Sequence, residues 1–227
     1  MPMKGGDGPR VHEVDRWDGG VGWIAHPEEG MQRASHALAV DGDVWVVDPV
    51  DAPGIDDLLS EFGDVAGVVV GLDRHLRDAA TVATRHDVPV YVPGWMSGVE
   101  EELSAPVERF GRELADTGFR AIKVVDSSFP PWQEVALYDE DGGTLVVPEA
   151  VGTADFFRAP GETLGVHPML RWLPPRRALS GLSPERVLVG HGAGVFENAG
   201  RALHDALANA RRNIPGAYRR ALTEALR

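Results

Sequence analysis

The stretch Val68–Asp78, which reads VVVGLDRHLRD, decides the fold of this chain. Its β-branched run stops at Gly71, and five ionisable side chains follow within seven positions. The valines are apolar on every side, which predicts a strand buried on both faces of a sheet. The segment Ala79–Arg85 then has helical spacing. A buried strand that ends in a charged loop before a helix is where α/β proteins place binding and catalytic groups.

Apolar patterns on both sides of this stretch predict further strands and helices. The predicted strands are Val11–Trp17, Val21–His26, Ser35–Val40, Val44–Val47, Val88–Pro93, Ala121–Val125, Glu134–Tyr138, Thr144–Val147 and Arg186–Val189. The predicted helices lie between Pro53 and Gly63, near Val99–Leu103, around His167–Leu173, after Gly194 and over Pro215–Leu226. Pro130 and Pro131 predict a loop over Asp126–Gln133, since proline cannot donate to a sheet ladder.

The order of these elements indicates two similar halves, each a mixed sheet with helices on its outer side. Packed face to face, they form a four-layer α/β/β/α sandwich. We expect one domain over residues 11–227, preceded by a glycine-rich, disordered segment of residues 1–10. The loops at Asp73–Asp78, Glu149 and His191 are expected to meet along one edge.

The composition limits the classes of partner and cofactor. A net charge of −13 argues against nucleic acid and anionic membranes, whose binding requires basic surfaces, and resembles the balance of cytoplasmic, halophilic-like acidic proteins. No apolar run is long enough to span a bilayer, so we expect a cytoplasmic location. Without cysteine, any metal must be held by histidine and carboxylates. The expected partner is a small-molecule ligand or substrate, with homo-oligomer formation left open.

Five further segments follow one another in an order that is known from one superfamily. They are Asp48-Pro49, Val88–Tyr91, Ala136–Tyr138, Leu145–Ala150 and Val189–Gly192. Over roughly residues 11–200, the chain resembles the metallo-β-lactamase superfamily of hydrolases. The resemblance implies a pocket at the loop edge, and a binuclear metal site where the ligands are complete.

The charged loop departs from that superfamily's His-x-His-x-Asp-His metal motif. On the alignment that the resemblance implies, His75 keeps the second histidine, whereas Asp73, Arg77 and Asp78 replace the first histidine, the aspartate and the last histidine. A guanidinium cannot deprotonate to bind a cation. It can replace a cation by pairing with carboxylates, and we expect Arg77 to pair with Asp73, Asp78 or Glu149.

The other superfamily ligands are partly kept. Glu149 stands at the position of the bridging aspartate, His191 is kept, and Phe129-Pro130 replaces a Gly-His pair and offers no ligand. The resemblance therefore implies these candidates for the active site: Asp73, His75, Arg77 and Asp78. It implies these candidates for metal binding: His75, Asp78, Glu149 and His191.

Each candidate also has a structural interpretation. Asp78 precedes a helix and is a good N-cap residue. Asp73 and Arg77 can form a loop ion pair, Glu149 can be a solvated turn residue, and His75 and His191 can be structural histidines.

Two functions stay open. The first is metal-dependent hydrolysis of an ester, thioester or phosphodiester, with one zinc or another divalent metal. The second is a non-catalytic pseudo-enzyme, in which Arg77 replaces the charge of the metal, no metal is bound, and the pocket binds a small ligand.

Overall fold

The computed structural model describes the backbone of residues 8–225 and the side chains of residues 8–220. The segment predicted to be disordered is residues 1–10, of which residues 1–7 lie outside the described residues. Within its described part, the backbone N–H of Arg10 donates to the carbonyl of Ala25. Over the part of the chain that is described, no helix is both long and apolar enough to cross a lipid bilayer.

Seven strands form the first sheet, in the order in which they occur in the chain. They are β1 (His12–Trp17), β2 (Gly20–Ile24), β3 (Ala34–Val40), β4 (Asp43–Val47), β5 (Asp64–Val69), β6 (Val90–Pro93) and β7 (Val107–Phe110). Strands β1 to β4 pair antiparallel, and β4 to β7 pair parallel. Asp41 and Gly42 join β3 to β4 with φ angles of 53° and 93°, the left-handed conformation of a tight hairpin turn.

The second sheet has four strands. They are β8 (Arg120–Ser128), β9 (Pro131–Asp139), β10 (Thr144–Val147) and β13 (Arg186–Val189), and a separate two-stranded ladder consists of β11 (Val151–Gly152) and β12 (Gly165–Val166). The sheet order is β13-β10-β9-β8, in which β10 and β13 pair parallel and the other neighbours antiparallel. Both sheets are therefore mixed, as the sequence predicts.

Helices cover the outer face of each sheet. They are α1 (Ile55–Ser60), α2 (Ala79–His86), α3 (Arg176–Leu179), α4 (Ala199–Asn209) and α5 (Ile214–Ala225), with 3-10 turns at Glu100–Glu102 and Pro168–Leu170. Leu59 of α1 packs with the first sheet, and Leu203 of α4 packs with the second. Between the sheets, Leu38 of β3 lies in one cluster with Leu137 and Leu188. Burying each such side chain contributes about 1.5–3 kcal/mol. This layering confirms the predicted α/β/β/α sandwich.

Two regions contain more strand than the sequence predicts. Residues 94–118, for which the sequence predicts only a helix near Val99–Leu103, include β7. The loop expected over Asp126–Gln133 is wrong, because β8 and β9 continue to a tight turn in which Ser128 pairs with Pro131. Pro131 is the first residue of β9, a position where the missing N–H removes no ladder hydrogen bond.

Candidate functional site

Three charged loops meet at one edge of the sandwich, after β5, β10 and β13. The N–H of Asp48, at the end of β4, donates to the carbonyl of Val69, and the N–H of Gly190 donates to Val147. A Cβ atom on Gly190 would lie 2.1 Å from the carbonyl oxygen of Pro148, so the close approach of these two loops requires glycine. Backbone contacts therefore fix the loops relative to one another.

His75 lies in this edge with both ring nitrogens directed at charged groups. Its Nδ1 is 2.9 Å from Oδ2 of Asp48, and its Nε2 is 3.7 Å from Oε2 of Glu149. Since the Asp48 carboxylate accepts the Nδ1 proton, the Nε2 lone pair is directed into the site. Burial raises the pKa of Asp48 to about 6, while Arg77 and the N–H of Gly71 lower it. The sequence indicates Asp48 only as a turn residue, so this contact was missed.

Glu149 is held between a guanidinium and an imidazole. Arg74 lies 3.0 Å from Oε2 of Glu149, and Nε2 of His167 lies 3.6 Å from Oε1. The N–H groups of Glu149 and Ala150 both donate to Oε1 of Glu134 at 2.7 Å. Glu134 is fully buried, and burial raises its pKa to about 7. Glu149 is therefore a buried, fixed side chain and not a solvated turn residue.

His191 presents a free nitrogen to the same space. Its Nδ1 is 2.9 Å from the carbonyl oxygen of Met31 and therefore carries the proton. Its Nε2 is buried without a hydrogen-bond partner, and the ring stacks on Phe157 at 5.1 Å. Burial, together with the nearby His75 and Arg77, lowers the pKa of His191 well below its usual value. The ring is therefore neutral, with one unused acceptor.

Three of the four predicted metal candidates come together. One ligand atom each of His75, Glu149 and His191 lies within 4.8 Å of the others, and all three residues are buried. The fourth candidate, Asp78, is not part of this group. Its Oδ2 accepts the N–H of Asp51 at 2.9 Å. Asp78 occupies the N-cap position of α2 without a side-chain capping bond, so its carboxylate fixes a neighbouring loop.

Arg77 lies inside the site, and its hydrogen bonds differ from those expected. Its Nη1 donates to the carbonyls of Ala34 and Asp48 at 2.6 and 2.8 Å, and its Nη2 donates to the carbonyl of Gly190 at 3.1 Å. Nη2 also lies 3.4 Å from Nε2 of His75. The expected pairs of Arg77 with Asp73 and Asp78 are replaced by bonds to carbonyls at strand ends, because both carboxylates accept backbone N–H groups elsewhere.

The backbone at this place is strained. Arg77 has a φ of 40° and Asp48 a φ of 47°, values that residues with a Cβ atom rarely adopt. Burial lowers the pKa of Arg77 to about 10, against the opposing effects of Asp48 and Glu149. The guanidinium thus stays charged at neutral pH, and together with Arg74 it balances the charges of Asp48 and Glu149.

The first residues of the loop fix its position and close the site. Oδ2 of Asp73 accepts the N–H of Gln133 at 2.9 Å, which ties the loop to β9. Arg74 stacks over the ring of Trp132 at 4.1 Å while it binds Glu149. Asp73 is 3.6 Å from Arg74, so the loop ion pair forms with Arg74 and not with Arg77.

His167, which from the sequence could enter the pocket from a long loop, lies in the site beside Glu149. Its Nδ1 accepts the N–H of Met169, so its Nε2 proton faces Glu149. Burial and the charges of Arg74 and Arg171 lower its pKa to about 3. The only sequence signal is a histidine before Pro168 in a long loop.

The donor spacing fits one metal ion, but the surrounding charges do not. A divalent cation near His75 and Glu149 would lie beside Arg77, at 3.4 Å from the imidazole, and Arg74, at 3.0 Å from the carboxylate. Asp48 and Glu149 already balance these two guanidiniums. Two more positive charges at a buried place would be uncompensated, which is costly. The residues therefore do not fit the binuclear centre that the superfamily resemblance implies.

No protein-family model matches the chain, and no curated protein sequence matches it either. Its fold, however, is similar to solved structures. DIM-1 metallo-β-lactamase exposed to ceftazidime is 14% identical, with a TM-score of 0.61 over 90% of this chain and 100% of that one. FIM-1 metallo-β-lactamase from Pseudomonas aeruginosa, in its mono-zinc form, is 13% identical, with a TM-score of 0.54 over 91% and 97%. The chemotaxis sensor ODP from T. denticola, in its apo state, is 12% identical, with a TM-score of 0.54 over 89% and 95%.

These likenesses, with the two-sheet sandwich, define the class of protein. The chain has the metallo-β-lactamase fold, which confirms the resemblance found in the sequence. FIM-1 was solved with one zinc, and the present chain has a His, Glu and His group that could hold a metal ion.

Proposed function

We propose that this protein is a non-catalytic relative of the metallo-β-lactamase-type hydrolases, with guanidinium groups where relatives carry metal. The observation that carries the proposal is the position of Arg77. Its Nη2 lies 3.4 Å from the Nε2 of His75, the lone pair that a metal would need. Because Asp48 holds the other nitrogen of this ring, His75 has no second lone pair to offer.

The charges of the site support the same conclusion. Arg74 and Arg77 supply two positive charges, and Asp48 and Glu149 supply two negative ones. The site is neutral when its histidines are neutral, which is the state that burial favours for His191. A buried group of charges is stable when it is balanced and hydrogen-bonded, so the fold does not depend on a cation.

A small ligand could still enter the site. The free Nε2 of His191 accepts a hydrogen bond, so the ligand would carry a hydroxyl or amine donor. Arg74 covers the site beside Glu149, where such a ligand would enter. This side chain is 40% exposed and stacks on Trp132. The sensor ODP, which is similar in fold, is named for a role other than hydrolysis. We therefore include small-molecule binding in the proposed function.

The experiment is metal analysis joined to a thermal shift assay. The protein is purified without chelator, its zinc, manganese and iron are measured by elemental analysis, and its melting temperature is recorded with each metal added. We expect less than stoichiometric metal and no rise in melting temperature, since an ion that binds only the folded state must stabilise it. One retained equivalent of metal, with a raised melting temperature, would contradict the proposal.

One observation favours a second function, metal-dependent hydrolysis of an ester, thioester or phosphodiester. The unpaired Nε2 of His191 and the spacing of His75 and Glu149 suit a single ion. A divalent metal there would supply Lewis-acid activation of water. Rates with p-nitrophenyl acetate, a thioester and bis-p-nitrophenyl phosphate, measured with and without added metal, separate this function from the first.

A further inference from the structure

Four large apolar side chains lie together on the surface, far along the chain from the charged loop. Met169, Trp172, Leu173 and Tyr218 are 55%, 63%, 78% and 47% exposed, and they are four of the six large hydrophobic residues exposed among the described ones. We call these four residues the apolar patch. Tyr218 donates its hydroxyl to the carbonyl of Pro168, which joins α5 to the segment that carries the other three. Contiguous apolar surface of this kind marks an interaction site.

Three of the four residues of the apolar patch lie in the basic part of an acidic chain, and Met169 lies directly before it. Residues 171–227 contain 10 arginines and 4 acidic residues, a net charge of +6, whereas residues 1–170 contain 12 basic and 31 acidic residues, a net charge of −19. Arg211 donates from Nε to the carbonyl of Trp172 at 2.7 Å, so its charge borders the apolar patch. Arg177, Arg212 and Arg219 are also exposed in this part of the chain.

We propose that the apolar patch and its arginines bind the acidic surface of a second copy of this chain. The exposed Arg177, Arg211 and Arg212 need an acidic complement, and the acidic residues of residues 1–170 supply one on every copy. Tryptophan, tyrosine, methionine and arginine are the residues enriched at the centres of protein interfaces. The proposed binding partner, a second copy of the chain, is therefore present in any solution of the protein.

The charges also determine how two copies associate. If one apolar patch faced another across a two-fold axis, arginines would oppose arginines, which is unfavourable. The contact is therefore head to tail, from the basic end of one copy to the acidic surface of the next. Contacts of this type form rings or open chains and are not limited to dimers. An anionic membrane is the less favoured occupant, because the rest of the chain would be repelled from it.

Sedimentation velocity over a wide range of protein concentration tests this proposal. We expect association beyond the monomer at low salt, and weaker association at about 1 M salt, where screening acts within about 3 Å. Trp172→Ala and Arg212→Glu should each weaken association at least about tenfold, since central tryptophan and arginine contacts dominate interfaces. Both side chains are exposed, so the melting temperature should stay unchanged.

Arg112→Glu is the matched control for Arg212→Glu, because it also reverses an exposed arginine but lies in the acidic part of the chain. We expect it to leave association intact. A monomer at every concentration would overturn the proposal, and so would association that Trp172→Ala and Arg212→Glu do not change. If the protein stays monomeric but sediments with phosphatidylglycerol vesicles in a Trp172-dependent manner, the occupant is a membrane and the second-copy proposal fails.

Discussion

Replacing Arg77 by alanine should both destabilise the protein and create a metal site. The guanidinium donates to three backbone carbonyls at the ends of three different segments, Ala34, Asp48 and Gly190. Its loss removes three buried hydrogen bonds to these carbonyls, together with one of the two positive charges that balance Asp48 and Glu149. Removing one partner of a buried charge network costs about 3–5 kcal/mol. For a chain of this size, that corresponds to a fall in melting temperature of roughly 10 °C.

Zinc should reverse part of this loss. With Arg77 gone, no guanidinium lies 3.4 Å from the Nε2 of His75, and the ligand atoms of His75, Glu149 and His191 lie within 4.8 Å of one another. An ion present at about a hundredfold excess over its dissociation constant would restore about 2.7 kcal/mol. The assay is urea denaturation of wild type and Arg77→Ala, each with and without zinc. Arg77→Lys keeps the charge but not the forked geometry, and it should fall between the two.

Arg112→Ala, which truncates an exposed arginine, serves as the control and should change stability by less than about 0.5 kcal/mol. The reasoning would be refuted if Arg77→Ala were as stable as wild type. It would equally be refuted if zinc stabilised wild type as much as the variant, because Arg77 would then not oppose the metal.

Three further outcomes can be measured. Glu134→Ala removes the acceptor of two buried backbone N–H groups and should cost about 3 kcal/mol or more in urea denaturation, with Glu134→Gln less harmful. Burial raises the pKa of Asp15 to about 6, so the folded state binds this proton more tightly. The contribution of Asp15 to stability should fall by up to about 3 kcal/mol from pH 4 to 6, and Asp15→Asn should remove that share of the slope, whereas Asp48 and Glu134, whose pKa values burial also raises, keep theirs. Burial lowers the pKa of His36 to about 4, so this residue has the opposite effect. In wild type and in Asp15→Asn alike, it lowers the stability of the protein as the pH falls below 6.5. Arg74→Ala removes a partly exposed guanidinium that lies 3.0 Å from Glu149, so it should cost about 1 kcal/mol and strengthen zinc binding, measured by titration calorimetry; unchanged zinc affinity would contradict a blocking role.

Local patterns sufficed for most of the fold. The mostly apolar segments of β3 and β4, the turn between them, and the uniformly apolar run at Val68–Val70 depend on neighbours in the sequence and were therefore predictable. The hairpin at Pro131 was not predictable from the sequence, because whether a proline interrupts a ladder depends on the residue that lies opposite it in the partner strand. Register between β8 and β9 is a property of two strands and not of either one.

The same distinction applies to the candidate site: one part of it follows from the sequence and another part only from the tertiary structure. The sequence by itself determined that a charged loop follows β5, that His75, Glu149 and His191 end buried strands, and that the superfamily's metal motif is altered at Asp73, Arg77 and Asp78. Those are statements about order along the chain. The parallel strands β10 and β13 bring Glu149 and His191 to one edge, and the packing of the two sheets brings the loop after β5, with His75, to the same edge.

Only the tertiary structure decided what each charged side chain contacts. Arg74, adjacent to His75 in sequence, binds Glu149, whereas Arg77 reaches the carbonyls of Ala34 and Gly190. The two arginines diverge because the left-handed backbone at Arg77 turns its side chain inward. Hydrogen bonds act over about 3 Å, and distances of that size between remote segments are set by packing, which no local pattern encodes. The sequence therefore located the site, and the fold determined that guanidinium groups occupy the place where a metal would bind.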